Sequence, residues 1–269
     1  MQRPADMTND QRSTINDQRR HTWPTEITPE LGRIVQAPDV PPGFGLFYTT
    51  VDFSGRLAGE DLDALTAHLE RRWGAGIGLV TCTQVHGADA VFAQDPPDGW
   101  REVGRCDAIW SDRPNVAIGI KVADCLPVTI IDPAHGVLAN IHSGWRGAAE
   151  AIVGSTLEAM KRLSRFSLET ARVWLGPSIR SCCFEVGEEV VAAMSARYGD
   201  VTDCLAPGRE DRPHFDLARL TGRILTGAGL PAGSLYDSGI CTRCEGSIFH
   251  SWRRDRAAAG RVLAVAVQA

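Results

Sequence analysis

Three strand-like segments, residues 116–122, 126–131 and 137–142, follow one another with only short connections between them. Asp132-Pro133-Ala134-His135-Gly136 is a turn signal, and Ala123-Asp124-Cys125 is too short to hold a helix. A simple doubly wound sheet needs a helix between successive parallel strands, so this run argues against it. The rest of the chain mixes both patterns. Residues 44–53 have apolar and aromatic strand character, and residues 77–86 alternate between two faces, with Gln84 and His86 on the same one. Residues 172–175 and the valine-rich 261–267 also read as strands. Residues 60–73 predict a helix with Leu62, Leu65 and Leu69 on one side. Residues 144–164 predict one long helix whose apolar stripe is Ala149, Ile152, Val153, Thr156, Leu157 and Met160. Two further helices are predicted over 186–198 and 217–228. Strands outnumber helices, which points to an α/β or α+β fold layered around mixed sheets. Residues 1–25 are polar and read as a disordered tail, leaving 26–269 as one domain.

Bulk properties limit the partners. The formal net charge of −5 argues against nucleic acid or an anionic membrane, both of which favour a basic surface. No apolar run approaches the ~18–20 residues of a membrane span, and the N-terminus has no apolar core of a secretory signal. A cytoplasmic location follows as an expectation. The eight cysteines are then expected as thiols, metal ligands or nucleophiles rather than disulfides.

Three segments carry chemistry: Thr83-Gln84-Val85-His86-Gly87, Ala123-Asp124-Cys125-Leu126-Pro127 and Ile141-His142-Ser143-Gly144-Trp145-Arg146-Gly147. Each sets a potential metal ligand at a strand end, where a rigid scaffold meets a cleft. Two imidazoles and one thiolate suit zinc, and three protein ligands leave a fourth position open, as in catalytic sites. The separations of 39 and 17 residues are too long for a zinc finger, so the fold must bring the ligands together. Spacing alone leaves open that each histidine is a satisfied core residue and that Cys125 is a small hydrophobe.

QVHG, ADCLP and HSGWRG in this order resemble the YfiH family, whose members have also been called multicopper polyphenol oxidases or laccase-like proteins. The similarity runs over roughly residues 45–269, through Cys106-Asp107-Ala108, Gly176-Pro177-Ser178-Ile179, Phe184-Glu185-Val186-Gly187, Cys241-Thr242 and Ser251-Trp252-Arg253-Arg254-Asp255. The resemblance implies zinc on His86, Cys125 and His142, and a four-layer α/β/β/α fold. It also implies purine nucleoside phosphorylase and adenosine deaminase activity on adenosine, inosine, guanosine or methylthioadenosine, or peptidoglycan editing. The chain departs from the family at Thr50, where arginine is usual, in a shortened loop after it, and at His250, where an aromatic is usual.

Deamination would use a zinc-activated water at C6 of adenine together with a proton shuttle, for which Asp124 and Asp107 are the candidates. Phosphorolysis needs a dianion held in place. Arg146 stands at the start of a helix, and Arg253 and Arg254 are further candidates. Gln84 is a candidate substrate or second-layer contact, and Lys121 a group that could lower the Cys125 pKa. Gly119 and Ala123 suggest close packing or room for a ligand. Two other chemistries compete. Cys125 could be the nucleophile of an amide hydrolase with His142 or His86 as base. Copper in the same site could oxidise phenols, although seven histidines without a His-x-His pair do not suit a multicopper enzyme. Cys241-x-x-Cys244 has no second Cys or His pair nearby in sequence, so structural zinc is not expected there. Cys182-Cys183 read as structural, and His68, His135 and His214 receive no role.

Overall fold

A computed structural model describes residues 23–53, 57, 59–209 and 212–269. Its strands in chain order are β1 (Thr25–Thr28), β2 (Gly32–Gln36), β3 (Phe44–Thr49), β4 (Gly78–Thr83), β5 (Ala90–Phe92), β6 (Trp100–Arg105), β7 (Ala108–Ser111), β8 (Val116–Val122), β9 (Leu126–Asp132), β10 (Val137–Ser143), β11 (Arg172–Leu175), β12 (Leu205–Arg209), β13 (Arg212–Phe215), β14 (Leu235–Asp237) and β15 (Val262–Gln268). The helices are α1 (Gly59–Trp73), α2 (Trp145–Ala149), α3 (Ile152–Leu163), α4 (Glu188–Tyr198), α5 (Leu217–Gly227) and α6 (Trp252–Asp255). None is long and apolar enough to cross a membrane.

The strands form a seven-stranded sheet, ordered β1-β2-β3-β15-β8-β4-β6, and a six-stranded sheet, ordered β14-β11-β9-β10-β7-β5. A separate hairpin pairs β12 with β13. The sheets stack face to face. Alternation along β15 shows why: Val262, Ala264 and Ala266 join a core with Ile109, Leu138 and Trp174 of the second sheet. Leu263, Val265 and Val267 instead meet Leu62, Leu65 and Leu69 of α1 on the outer face. The far face of the second sheet is covered by residues of α3, α4 and α5, including Leu157, Val190 and Leu220. The order is helix, sheet, sheet, helices, the four layers expected.

Three expectations change. The helix over 144–164 is broken, because Ala151 adopts φ 65° between α2 and α3. The strand over 77–86 stops at Thr83, and His86 lies beyond it at φ 63°. Trp23, assigned to the tail, is buried and packs on Tyr48 with ring centroids 5.5 Å apart, so the fold includes the end of that segment. Residues 1–22 of the tail lie outside the described residues, as does part of the loop after Thr50. Thr50 itself is buried and donates to the Arg33 carbonyl at 2.8 Å.

Candidate metal centre

The chain passes from the first sheet to the second three times: between β4 and β5, between β6 and β7, and between β8 and β9. Those crossings carry His86, Asp107 and Cys125. The end of β10, antiparallel to β9, adds His142 opposite Pro127. Four residues from distant segments therefore meet at one end of the sandwich. A ligand atom from each of His86, Cys125 and His142 lies within 4.8 Å of the other two. The two imidazole centroids are 4.9 Å apart and nearly perpendicular at 79°. Gly144 makes room for them, since a Cβ there would sit 3.0 Å from the Cys125 sulfur and 3.3 Å from His86 Cδ2.

Asp107 organises the centre from behind. Its carboxylate is fully buried. Oδ1 lies 2.7 Å from His142 Nδ1 and accepts the His86 backbone N–H at 2.9 Å. Oδ2 accepts the N–H groups of Val85 at 3.1 Å and Gly87 at 2.8 Å. The turn at His86 thus forms a cradle of three backbone donors around an anion. Burial pushes the Asp107 carboxyl upward, but the His142 hydrogen bond and the backbone donors outweigh it and hold the carboxyl below its ordinary range. A His142 tautomer that gives its Nδ1–H to Asp107 leaves Nε2 available to ligate a metal. Burial alone would also raise the Cys125 thiol, yet hydrogen bonds to His142 and His86 bring it down to about 6. Burial alone would lower His142, but Asp107 and Cys125 raise it to about 9. The donor set of two imidazoles, an acidified thiol and an outer carboxylate fits a divalent metal.

The centre lies in the wall of a cavity of about 750 Å³, within the range of small-molecule sites. Gln84, Lys121, Ala123, Asp124, Arg146 and Arg253 also line it. Gln84 pairs with β8 through its amide, donating to the Lys121 carbonyl at 2.7 Å and accepting from the Lys121 N–H at 2.8 Å. Lys121 Nζ is 4.0 Å from Glu102. Asp124, at φ 88°, accepts the Thr242 hydroxyl and the Arg253 N–H, each at 2.6 Å. Arg146 lies over the Trp145 ring at 4.4 Å and has no hydrogen-bond or ion-pair partner for its guanidinium among the described residues. Arg253 donates to the Glu185 carbonyl at 3.0 Å and lies over Phe184 at 5.7 Å.

Arg254 falls outside the cavity lining. Its guanidinium holds Asp255 and the carbonyls of Thr242, Arg243 and Phe249, bracing the last loop. Gly119 is a packing position, where a Cβ would meet Leu263, Thr81 and Leu79. His250 is half-buried and does not line the cavity. Sequence reasoning missed Phe184, Glu185, Trp145, Trp252 and Arg261, which do line it. The run Phe184-Glu185-Val186-Gly187 was the available signal for two of these. It also missed the partner of Cys241-x-x-Cys244: Cys182 and Cys183 lie beside that pair, with all four sulfurs within 4.8 Å of one another.

Comparisons with known proteins agree with this architecture. A family model described as multi-copper polyphenol oxidoreductase laccase matches residues 58–269. The chain is 34% identical over 232 residues to a purine nucleoside phosphorylase of Pseudomonas aeruginosa, covering 85% of this chain and 86% of that protein. It is 33% identical over 194 residues to purine nucleoside phosphorylase YlmD of Geobacillus stearothermophilus, covering 69% and 70%. Adenosine deaminase RL5, from an unknown prokaryotic organism, is 34% identical over 158 residues, covering 58% and 60%. The crystal structure of Geobacillus stearothermophilus YlmD superposes with a TM-score of 0.73 at 25% identity, covering 90% of this chain and 94% of that one. Bacillus licheniformis YfiH superposes at 0.79 and 22% identity, covering 91% and 99%, a likeness of fold.

Proposed function

The chain belongs to the family described as multi-copper polyphenol oxidoreductase laccase, and from that premise we propose that it is a zinc-dependent purine nucleoside phosphorylase that also deaminates adenosine. The observation that carries the reading is the convergence of His86, Cys125 and His142 on the wall of a cavity sized for a nucleoside. The names of its relatives support the two activities. Substrates on this reading are adenosine, inosine, guanosine or methylthioadenosine, with phosphate as the second reactant.

His86, Cys125 and His142 would hold the ion, which supplies Lewis acidity when bound. The protein's own groups do the rest. Arg146, whose guanidinium stacks on Trp145 and has no hydrogen-bond or ion-pair partner among the described residues, binds the phosphate dianion, and Arg253 lies in the same cavity. Phe184 and Trp252 offer aromatic surface to the purine. In phosphorolysis a phosphate oxygen forms the bond to the anomeric carbon as the bond to the purine nitrogen breaks, and the base leaves with a proton. In deamination water replaces the amino group at C6, and ammonia leaves. Asp107 and Asp124 act as positioning residues on this reading. One orients His142, and the other anchors the backbone of Arg253.

One observation favours a second reading. The acidified Cys125 beside His142 is also the arrangement of a thiolate nucleophile in an amide hydrolase, the chemistry a peptidoglycan-editing role would need. The family description names copper, which would enter the same site, because that is the one imidazole-bearing ligand group among the described residues.

The test is a nucleoside panel, with and without phosphate, on zinc-loaded and chelator-stripped protein. Free purine is expected to form only with phosphate, and inosine to form from adenosine without it. Both activities should vanish on stripping and return with zinc. His86→Ala, Cys125→Ala and His142→Ala should each abolish turnover while the fold persists by circular dichroism. Full activity in any of the three rejects the assignment. Amide hydrolysis that survives stripping and is lost in Cys125→Ala selects the hydrolase reading.

A further inference from the structure

Cys182, Cys183, Cys241 and Cys244 converge outside the centre described above. Their sulfurs all lie within 4.8 Å of one another, and two of the separations are 3.8 Å for Cys182 to Cys244 and 3.5 Å for Cys183 to Cys244. All four are free thiols. A tetrahedral zinc with Zn–S bonds of ~2.3 Å sets its sulfurs ~3.8 Å apart, so the cluster has the dimensions of that ligand sphere. We propose that these four cysteines bind one zinc ion as a structural tetrathiolate site, separate from the His86 centre.

The fold explains how the cluster forms. Strands β11 and β14 are parallel neighbours, so the loops after them leave the sheet on the same side. A bridge between Ser178 and Cys241 continues that pairing. Thr242 N–H donates to the Ser178 carbonyl at 3.0 Å, and Ser178 N–H to the Ile240 carbonyl at 3.2 Å. Cys182 and Cys183 follow in one loop. Cys241 and Cys244 close a turn in the other, with the Glu245 N–H bonded to the Cys241 carbonyl at 2.9 Å. Cys241-x-x-Cys244 has the ligand spacing of structural zinc sites, and the adjacent Cys182 and Cys183 supply the other two sulfurs. Arg243 Nη1 donates to the Cys183 sulfur at 3.4 Å, a contact that offsets part of the negative charge of four thiolates. Cys183 and Cys241 are buried among Ile179 and Phe184, while Cys182 and Cys244 are exposed and leave the ion a path of entry.

The site would act as a staple. One of its loops continues into Phe184 and Glu185 of the cavity wall. The other carries Thr242, whose hydroxyl holds Asp124 next to Cys125. Binding zinc would tie together two segments about 60 residues apart in sequence and so constrain the unfolded chain. A four-thiolate sphere has no open position, which makes this ion structural rather than catalytic.

The proposal does not depend on the nucleoside reading. The full chain, expressed with zinc and purified with a reductant and without chelator, is assayed for zinc by atomic emission. The Cys182→Ser/Cys244→Ser chain is assayed alongside. Loss of one equivalent in the double variant is expected, from two to one, with a lower melting temperature. A fall from one to none supports the four-cysteine site equally and counts instead against the His86 centre. Equal zinc in the two chains overturns the proposal. Should the double variant fail to fold, alkylation of the wild-type chain decides. Zinc is expected to protect the exposed Cys182 and Cys244 from iodoacetamide, and equal labelling with and without zinc overturns the proposal.

Discussion

Asp107 shows how a side chain can organise a candidate metal centre without being one of its candidate ligands. Its two oxygens take His142 and three backbone N–H groups, fixing the His142 ring and the backbone that carries His86. A carboxylate so fully engaged has no lone pair left for substrate. Asp107→Asn keeps the size but replaces one acceptor oxygen with an NH₂ group that faces donors. Zinc affinity is expected to fall about 10–100-fold, the usual cost of losing an outer carboxylate, measured by competition with a chromogenic chelator. Unchanged affinity would make the contact incidental. Residue type alone marked His86, Cys125 and His142 as candidates, because few side chains bind zinc. It gave no means of separating the roles of Asp107 and Asp124, since both are aspartates beside cysteines. Their difference lies in which distant donors each one meets.

Elements with clear periodicity were legible. Helix α1 follows the spacing of Leu62, Leu65 and Leu69, and the valine-rich run over 261–267 forms β15, which is buried on both faces. The break between α2 and α3 was not legible, because Ala149-Glu150-Ala151-Ile152 contains no glycine or proline. There Ala151 takes a left-handed conformation that costs an L-residue about 1–2 kcal/mol. Ala151→Gly should relieve part of this and stabilise the fold by up to about 1 kcal/mol in urea unfolding; a loss of stability would show that the side chain contributes more than the strain costs. A second prediction concerns α1. His68 is buried, and burial lowers its pKa below the usual histidine value. The unfolded chain therefore takes up the proton first as pH falls. The share of stability linked to this group is present above about pH 6.5 and lost as pH drops below it. His68→Gln should flatten that part of the melting-temperature profile, and an unaltered slope between pH 7 and 5 would assign it to other groups.

Polar contacts as well as apolar packing join the two sheets. Asn140 of β10 donates across the gap to the carbonyls of Ile118 at 3.2 Å and Ala264 at 2.9 Å, and accepts from Thr129 at 3.1 Å. Asn140→Leu removes both donors while roughly keeping volume. It is expected to cost about 1–3 kcal/mol by chemical denaturation, because buried carbonyls lose their partners; a neutral effect would mean that other donors replace them. This bridge adds directional contacts to the apolar core that the two sheets share. The amino-acid sequence by itself determined the layered strand-rich class, and it singled out the three segments that carry His86, Cys125 and His142, the candidate ligands that the fold brings together. These reside in local pattern and side-chain chemistry, which need no long-range contact to be expressed. Tertiary structure alone decided that Arg254 braces a loop outside the cavity, that Asp107 serves His142, and that Cys182 and Cys183 meet Cys241 and Cys244. Each depends on which strands are neighbours and at which end the chain leaves them, and that pairing is settled by burial and hydrogen bonding summed over the whole molecule.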